Sequence, residues 1–264
     1  MKIPPATQDQ MQRLRVRDLP PRSPLAWLRR GWRDLMRSPG PGLLHGAAAA
    51  LFGGLLFWVA RDHFWLLAGA FSGFLLVAPI IATGLYLVSR GIERGRRRIP
   101  VAESLAIWRP RDGRLIIFGI LLAFSGTGWV MTSASLITEF AAAPVNKPID
   151  FIRVVMLDEQ SWLFEAWLAL GAVLAAPVFA SSVVALPLFL DREVGIRAAV
   201  LTSWRAVLTN PVTMACWALC LIVITLIAMI PALLGLVVAV PWLAHASWHA
   251  YRDLVDASEL PERP

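Results

Sequence analysis

Charge is scarce in this chain. Asp, Glu, Lys and Arg make up 16% of its 264 residues, against about a quarter in a soluble domain, which excludes an ordinary water-soluble globule. The acids are the scarcer sign, 18 against 25 basic residues, and no cluster of carboxylates occurs. No glycine-rich loop of the phosphate-cradling kind is present either, and no serine–histidine–acid set lies at a common depth along the apolar stretches. These absences read as a protein that is not an enzyme. Cysteine is nearly missing. The two present, Cys216 and Cys220, are four apart on one helix face, a poor spacing for a disulfide. The first apolar stretch does not read as a cleavable signal, because 42 mostly polar residues precede it.

What the chain has is apolar length: 57% of residues are hydrophobic. Six stretches approach or exceed the roughly 20 residues that cross a hydrocarbon core: 43–60, 64–89, 115–138, 167–190, 211–230 and 232–251. The expected fold is an all-α membrane protein with six transmembrane helices. Residues 1–22 read as a flexible cytoplasmic segment, 23–256 as the membrane domain and 257–264 as a short tail. Arginine and lysine set the orientation. Twenty-two lie before the first span, between even and odd spans or after the last, and only Arg61, Lys147 and Arg153 lie on the other side. Both termini are therefore expected in the cytoplasm. The net charge of +7 is a topology signal and an attraction to anionic headgroups, so membrane lipids, not nucleic acid, are the expected partners; a protein partner in the membrane stays open.

An internal repeat shows in the sequence. "GWRDLMRSPG" (31–40) aligns with "SWRAVLTNPV" (203–212), pairing Trp32 with Trp204 and Arg33 with Arg205; Trp108 and Arg109 stand before the third span. The even spans share glycine and proline six apart: Gly73 and Pro79, Gly171 and Pro177, Gly235 and Pro241. Arg90 and Arg252 follow their prolines by eleven residues, and Arg192 follows Pro177 at a longer distance. The unit reads as an interfacial amphipathic helix, a span outward and a proline-kinked span back, three times in tandem. In the first interfacial helix, Leu25, Leu28, Trp32, Leu35 and Met36 form an apolar stripe beside Arg29, Arg30, Arg33 and Arg37. That stripe faces either lipid or the spans. The sizeable outward loop, 139–162, is expected to hold a short helix from Ile149 to Leu157.

His245 and His249 share one face of the sixth span, near its inner end. With Cys216 and Cys220 they form a conceivable zinc or copper set, and the alternative function is a metal- or haem-handling protein linked to respiratory oxidase assembly. The simpler reading places both histidines at the membrane interface, with no cofactor.

"LAWLRRGWRDLMRSPG", "GLYLVSRGIERG", "LPLFLDREVGIRAAVLTSWRAVLTNP" and "HASWHAYRDLV" together resemble a proteobacterial family of predicted integral membrane proteins, domain of unknown function 2189, over about residues 20–256. The resemblance implies a bacterial inner-membrane location and a six-span fold, and no assigned activity. The expected function is non-enzymatic: organising or passing a small molecule or lipid between the hairpins, or assisting a membrane complex.

Overall fold

The computed structural model describes residues 4–60, 82–106, 113–158 and 161–263. Those residues are helical almost throughout. In chain order they form α1 (Pro5–Gln12), α2 (Ser23–Arg37), α3 (Pro39–Ala60), α4 (Thr83–Glu93), α5 (Val101–Ala106), α6 (Gly113–Phe140), α7 (Pro148–Phe151, continued by a π turn over Ile152–Met156), α8 (Leu163–Ser182), α9 (Ala185–Asp191), α10 (Ile196–Thr209), α11 (Pro211–Met229) and α12 (Leu236–Leu254). Two short strands, β1 (Arg15–Val16) and β2 (Val255–Asp256), pair antiparallel. Among the described residues, four segments are long and apolar enough to cross a membrane: Pro39–Val59, Gly113–Phe140, Leu163–Asp191 and Pro211–Met229. The second expected span falls largely on residues outside the described ones. The sixth falls on α12, which is mostly buried and carries Arg252 and Asp253 in its last turn.

Contacts divide the chain into two compact units. The first combines Met1–Ala50, Pro79–Ile116 and Ala180–Pro264; the second combines Leu51–Ala78 with Ile117–Phe179. In the first unit α12 is the central element, packed by α2, α4, α9 and α11. Gly31 makes the α2–α12 approach possible: a Cβ there would sit 2.5 Å from the backbone nitrogen of Ala246. Gly46 does the same for α3, where a Cβ would strike the carbonyl of Val237. Small residues at such crossings are what membrane helices use, because apolar burial gives no preference for helix over lipid. In the second unit, Ile137, Val145, Val155 and Leu163 form the core. The expected loop helix is α7 with its π turn.

Both ends of the chain depart from expectation. Residues 4–22, read as flexible, form α1 and β1, and Leu14 is fully buried. The tail is fastened too: Glu193 N–H donates to Pro261 O (3.0 Å), Arg263 N–H donates to Asp191 O (3.0 Å), and Leu260 is buried. Polar composition suggested solvated ends. Pairing of β1 with β2 satisfies their backbone groups instead.

The stripe on α2 resolves as well. Its buried face is Trp27, Gly31, Asp34 and Leu35, while Leu25, Trp32 and Met36 are exposed. Most of the apolar stripe therefore points away from the protein, and the packed face is one that contains a glycine and a carboxylate.

Candidate functional site

Polar chemistry concentrates inside the first unit. His245 and His249, four apart on α12, face Asp34 of α2 and Ser89 of α4. His249 Nε2 lies 2.9 Å from Asp34 Oδ2. Ser89 Oγ donates to the same oxygen at 2.8 Å and lies 2.8 Å from His245 Nδ1. A serine has one proton. Given to the carboxylate, it leaves His245 Nδ1–H to donate to Ser89 Oγ. On α3, His45 Nδ1 sits 2.8 Å from the Pro41 carbonyl, which only accepts, so that nitrogen carries the proton. In both rings Nε2 is buried and without a hydrogen-bond partner.

This arrangement refines one expectation and corrects another. The histidines lie inside the protein and not on its surface: His245 is fully buried and His249 nearly so. A serine–histidine–acid set does exist at one depth, because Asp34 belongs to an interfacial helix whose carboxylate turns inward. It is not built as a nucleophile, however. A catalytic triad places the acid on the far nitrogen of the base, whereas here Asp34 bonds Ser89 directly and the far nitrogen of His245 has no partner. Ser89 is also completely buried.

A second cluster adjoins the first. Asp191 ends α9 and accepts Tyr251 Oη at 2.7 Å. Three arginines converge on it: Arg90 at 3.4 Å, Arg192 at 3.2 Å and Arg252 at 3.4 Å. These are the three arginines that follow Pro79, Pro177 and Pro241 in sequence. Arg252 also reaches Glu93 at 3.3 Å, and Glu93 lies 3.8 Å from His249 Nδ1. Burial pushes the Glu93 carboxyl above its usual range, with Arg252 opposing the shift. A continuous polar chain thus runs from Ser89 through Asp34, His249, Glu93 and Arg252 to Asp191.

The other sequence candidates are scattered. Cys216 and Cys220 are free thiols on α11, each partly exposed. Among the described residues, no three or more of His, Cys, Asp and Glu are arranged to hold a metal. Pro177 lies inside α8 and Pro241 inside α12, Gly171 faces Trp129, and Gly235 precedes α12. Gly73, Pro79, Trp108 and Arg109 lie outside the described residues. Trp204 donates to Ser181 Oγ at 2.9 Å while Arg205 is exposed. Trp32 packs edge-on against Trp242, with ring centroids 5.5 Å apart, and Arg33 is exposed. Beside Arg33 a cleft of about 530 Å³ is lined by Pro20, Arg22, Ser23, Leu25, Ala26, Arg29 and Arg30. None of its lining residues is acidic.

Apolar helices of membrane-crossing length define an integral membrane protein. Residues 66–191 match the family model described as Predicted integral membrane protein (DUF2189). The match begins after α3 and ends at Asp191, so it is shorter at both ends than the expected 20–256. It includes Ser89, Arg90, Glu93 and Asp191, and excludes Asp34 and the two α12 histidines. No curated protein and no solved structure matches the chain significantly.

Proposed function

We propose that the chain is a non-enzymatic protein of the bacterial inner membrane, termini in the cytoplasm, that organises anionic lipid on its arginine-rich side. The carrying observation is the cleft along α2. Exposed Arg22, Arg29 and Arg33 border it without an acid among them, next to exposed Leu25, Trp32 and Met36. Guanidinium groups suit phosphate, and tryptophan beside arginine suits the headgroup level. Convergence of Arg90, Arg192 and Arg252 on Asp191 supports three hairpins gathered about a shared axis. It also favours a fixed scaffold over an open passage, since a buried, ion-paired charge cluster would occupy that axis.

The test is lipid retention. Each arginine near an anionic surface is worth about 1 kcal/mol, so Arg22→Gln/Arg29→Gln/Arg33→Gln weakens binding by up to roughly 100-fold. Native mass spectrometry of the purified protein with phosphatidylglycerol reads this directly. Equal occupancy in the variant and the parent rejects the reading.

One observation favours a second reading, metal handling. It rests on His45 and His245 rather than on the cysteines, because each ring has its Nδ1 proton fixed by an oxygen and its Nε2 bare, the state of a ligating imidazole. Elemental analysis and an absorption spectrum, compared with His245→Ala, decide it. Stoichiometric zinc, copper or a haem band lost in the variant establishes the site, and a blank in both removes it.

A further inference from the structure

We infer that the α11–α12 hairpin does not cross the membrane but enters a single leaflet, the one on the arginine-rich side, and ends among its acyl chains. Length and composition make α11 a candidate span. Its root is the first reason against that. Thr213 donates to Leu19 O at 2.8 Å and Asn210 donates to Arg17 O at 2.9 Å, while Arg17 pairs with Asp256 in the exposed clasp between the chain ends. Trp217 packs edge-on against Trp27, whose Nε1 donates to Asp253 at 2.8 Å. Asp253 also pairs with Arg30, both about one-third exposed. The first two turns of α11 therefore stand at the level of charged, water-accessible groups.

What remains is short. Twelve residues of α11 follow Trp217, about 18 Å of helix. On the return, nine residues of α12 precede His245, about 14 Å. A hydrocarbon core is about 30 Å thick, so the projecting part matches one leaflet. The hairpin end packs Ala228, Leu236 and Ala239 against Ala50, the twelfth residue of the 22-residue α3. It reaches the middle of a helix that is itself long enough to span.

The tip has the chemistry of a lipid-embedded turn. Residues 228–235 read "AMIPALLG", without a charged or hydrogen-bonding side chain. By contrast the sequence between the first two apolar stretches includes Arg61 and Asp62, and the loop before α8 holds Lys147, Asp150, Arg153 and Asp158. Ile230 is 80% exposed and Leu234 68%. Ala232 and Leu233 take positive φ (48° and 68°), positions that a turn in water gives to Gly, Asn or Asp. A turn in hydrocarbon must also bond its own backbone, and this one does. The N–H groups of Ile230, Ala232, Leu233, Leu234, Leu236 and Val237 all donate within residues 227–237. The occupant of this exposed apolar surface is lipid tail.

Depth-dependent quenching tests the inference on the full chain. In a Cys216→Ser/Cys220→Ser background, Ile230→Cys carries a bimane label in phosphatidylcholine–phosphatidylglycerol vesicles. Spin-labelled lipids quench it from the headgroup or from the end of the acyl chain. A single-leaflet hairpin gives at least about threefold stronger quenching by the acyl-end label, since the tip lies some 15 Å from either surface. Dominant quenching by headgroup spins or aqueous iodide means that the tip has crossed, and overturns the proposal. Leu234→Lys against Leu234→Ala is the second reading. A buried tip loses most of its folded, membrane-inserted yield with lysine, and equal yields overturn the proposal. Neither readout depends on anionic-lipid binding at α2, so the two ideas fail separately.

Discussion

The two units solve the same problem with opposite materials. The first hides charge: Asp34, Arg90, Asp191 and Arg192 are buried or nearly so, each held by partners of opposite sign or by hydrogen bonds. The second is built from apolar and aromatic contact. Trp167 meets Trp129 tilted, Phe151 edge-on and Phe164 stacked, and a part-buried polar contact, Trp167 Nε1 to Ser133 Oγ at 2.6 Å, accompanies them. Buried ion pairs bring geometry rather than net stability, so the first unit gains a fixed arrangement of helix ends. The second leaves much apolar surface exposed, as on Phe124, Met131 and Val173, which suits a lipid solvent. Disturbing one partner should therefore be costly in the first unit and mild in the second.

The largest effect is expected at Asp191. Asp191→Asn leaves three guanidinium groups around a neutral amide, two of them on buried residues, and removing one partner of a buried ion cluster costs about 3–5 kcal/mol. Unfolding in mixed detergent micelles, followed by tryptophan fluorescence, measures it. A loss below about 1 kcal/mol would erase the contrast between the units. Next comes Gly31→Ala, because the new methyl meets the backbone of Ala246 at 2.5 to 2.8 Å. Backbone cannot yield as a flexible side chain does, so overpacking of about 1–3 kcal/mol is expected, with α2 protected less well in hydrogen exchange. Unchanged protection would place the helix crossing elsewhere.

Acid should act on the clasp between the chain ends before it acts on the buried chain. Hydrogen bonds from Ser258, with help from Arg17, hold the Asp256 carboxyl down to about 2. Its contribution is complete above the unfolded value near 4 and is lost as pH falls towards 2. Glu93 has the opposite sign: its raised value means that protonation favours the folded state, so acidification relieves that burial. Amide exchange at Arg15 and Val16 should therefore quicken between pH 4 and 2 while α4 stays protected. The smallest change is Ser133→Ala in the second unit, where loss of the tryptophan bond costs about 0.6 kcal/mol, the average for such bonds between membrane helices. A loss as large as that at Asp191 would show that the second unit also depends on a polar lock.

The arginines that follow each even-span proline are legible in the order of residues alone, and so is the helix in the outward loop. Their shared target is not. Asp191 follows a long apolar run and resembles an ordinary end-of-span acid. Only the meeting of α4, α9 and α12 reveals it as the residue three arginines require. Asp34 is hidden similarly. An acid among four arginines on an amphipathic helix looks like a surface ion pair, and Gly31 one turn earlier is the available hint that this face packs closely. That His245 and His249 are covered is hidden in sequence, because depth is counted along one helix, without the helices that pack over it.

Composition and the run of apolar residues determined that the chain lives in a membrane, because transfer of roughly 20 apolar residues from water is favourable wherever they occur. Arginine asymmetry determined which side is basic for the same local reason. Which polar groups sit inside, and how deep each apolar stretch goes, was decided by tertiary structure alone. The 46 residues between Arg205 and Arg252 carry no charge and are long enough for two crossings. Packing of Trp217 on Trp27 and of His249 on Asp34 fixes the roots of that stretch in the charged base, and depth in a bilayer is measured from where a helix is anchored, not from where its hydrophobicity begins.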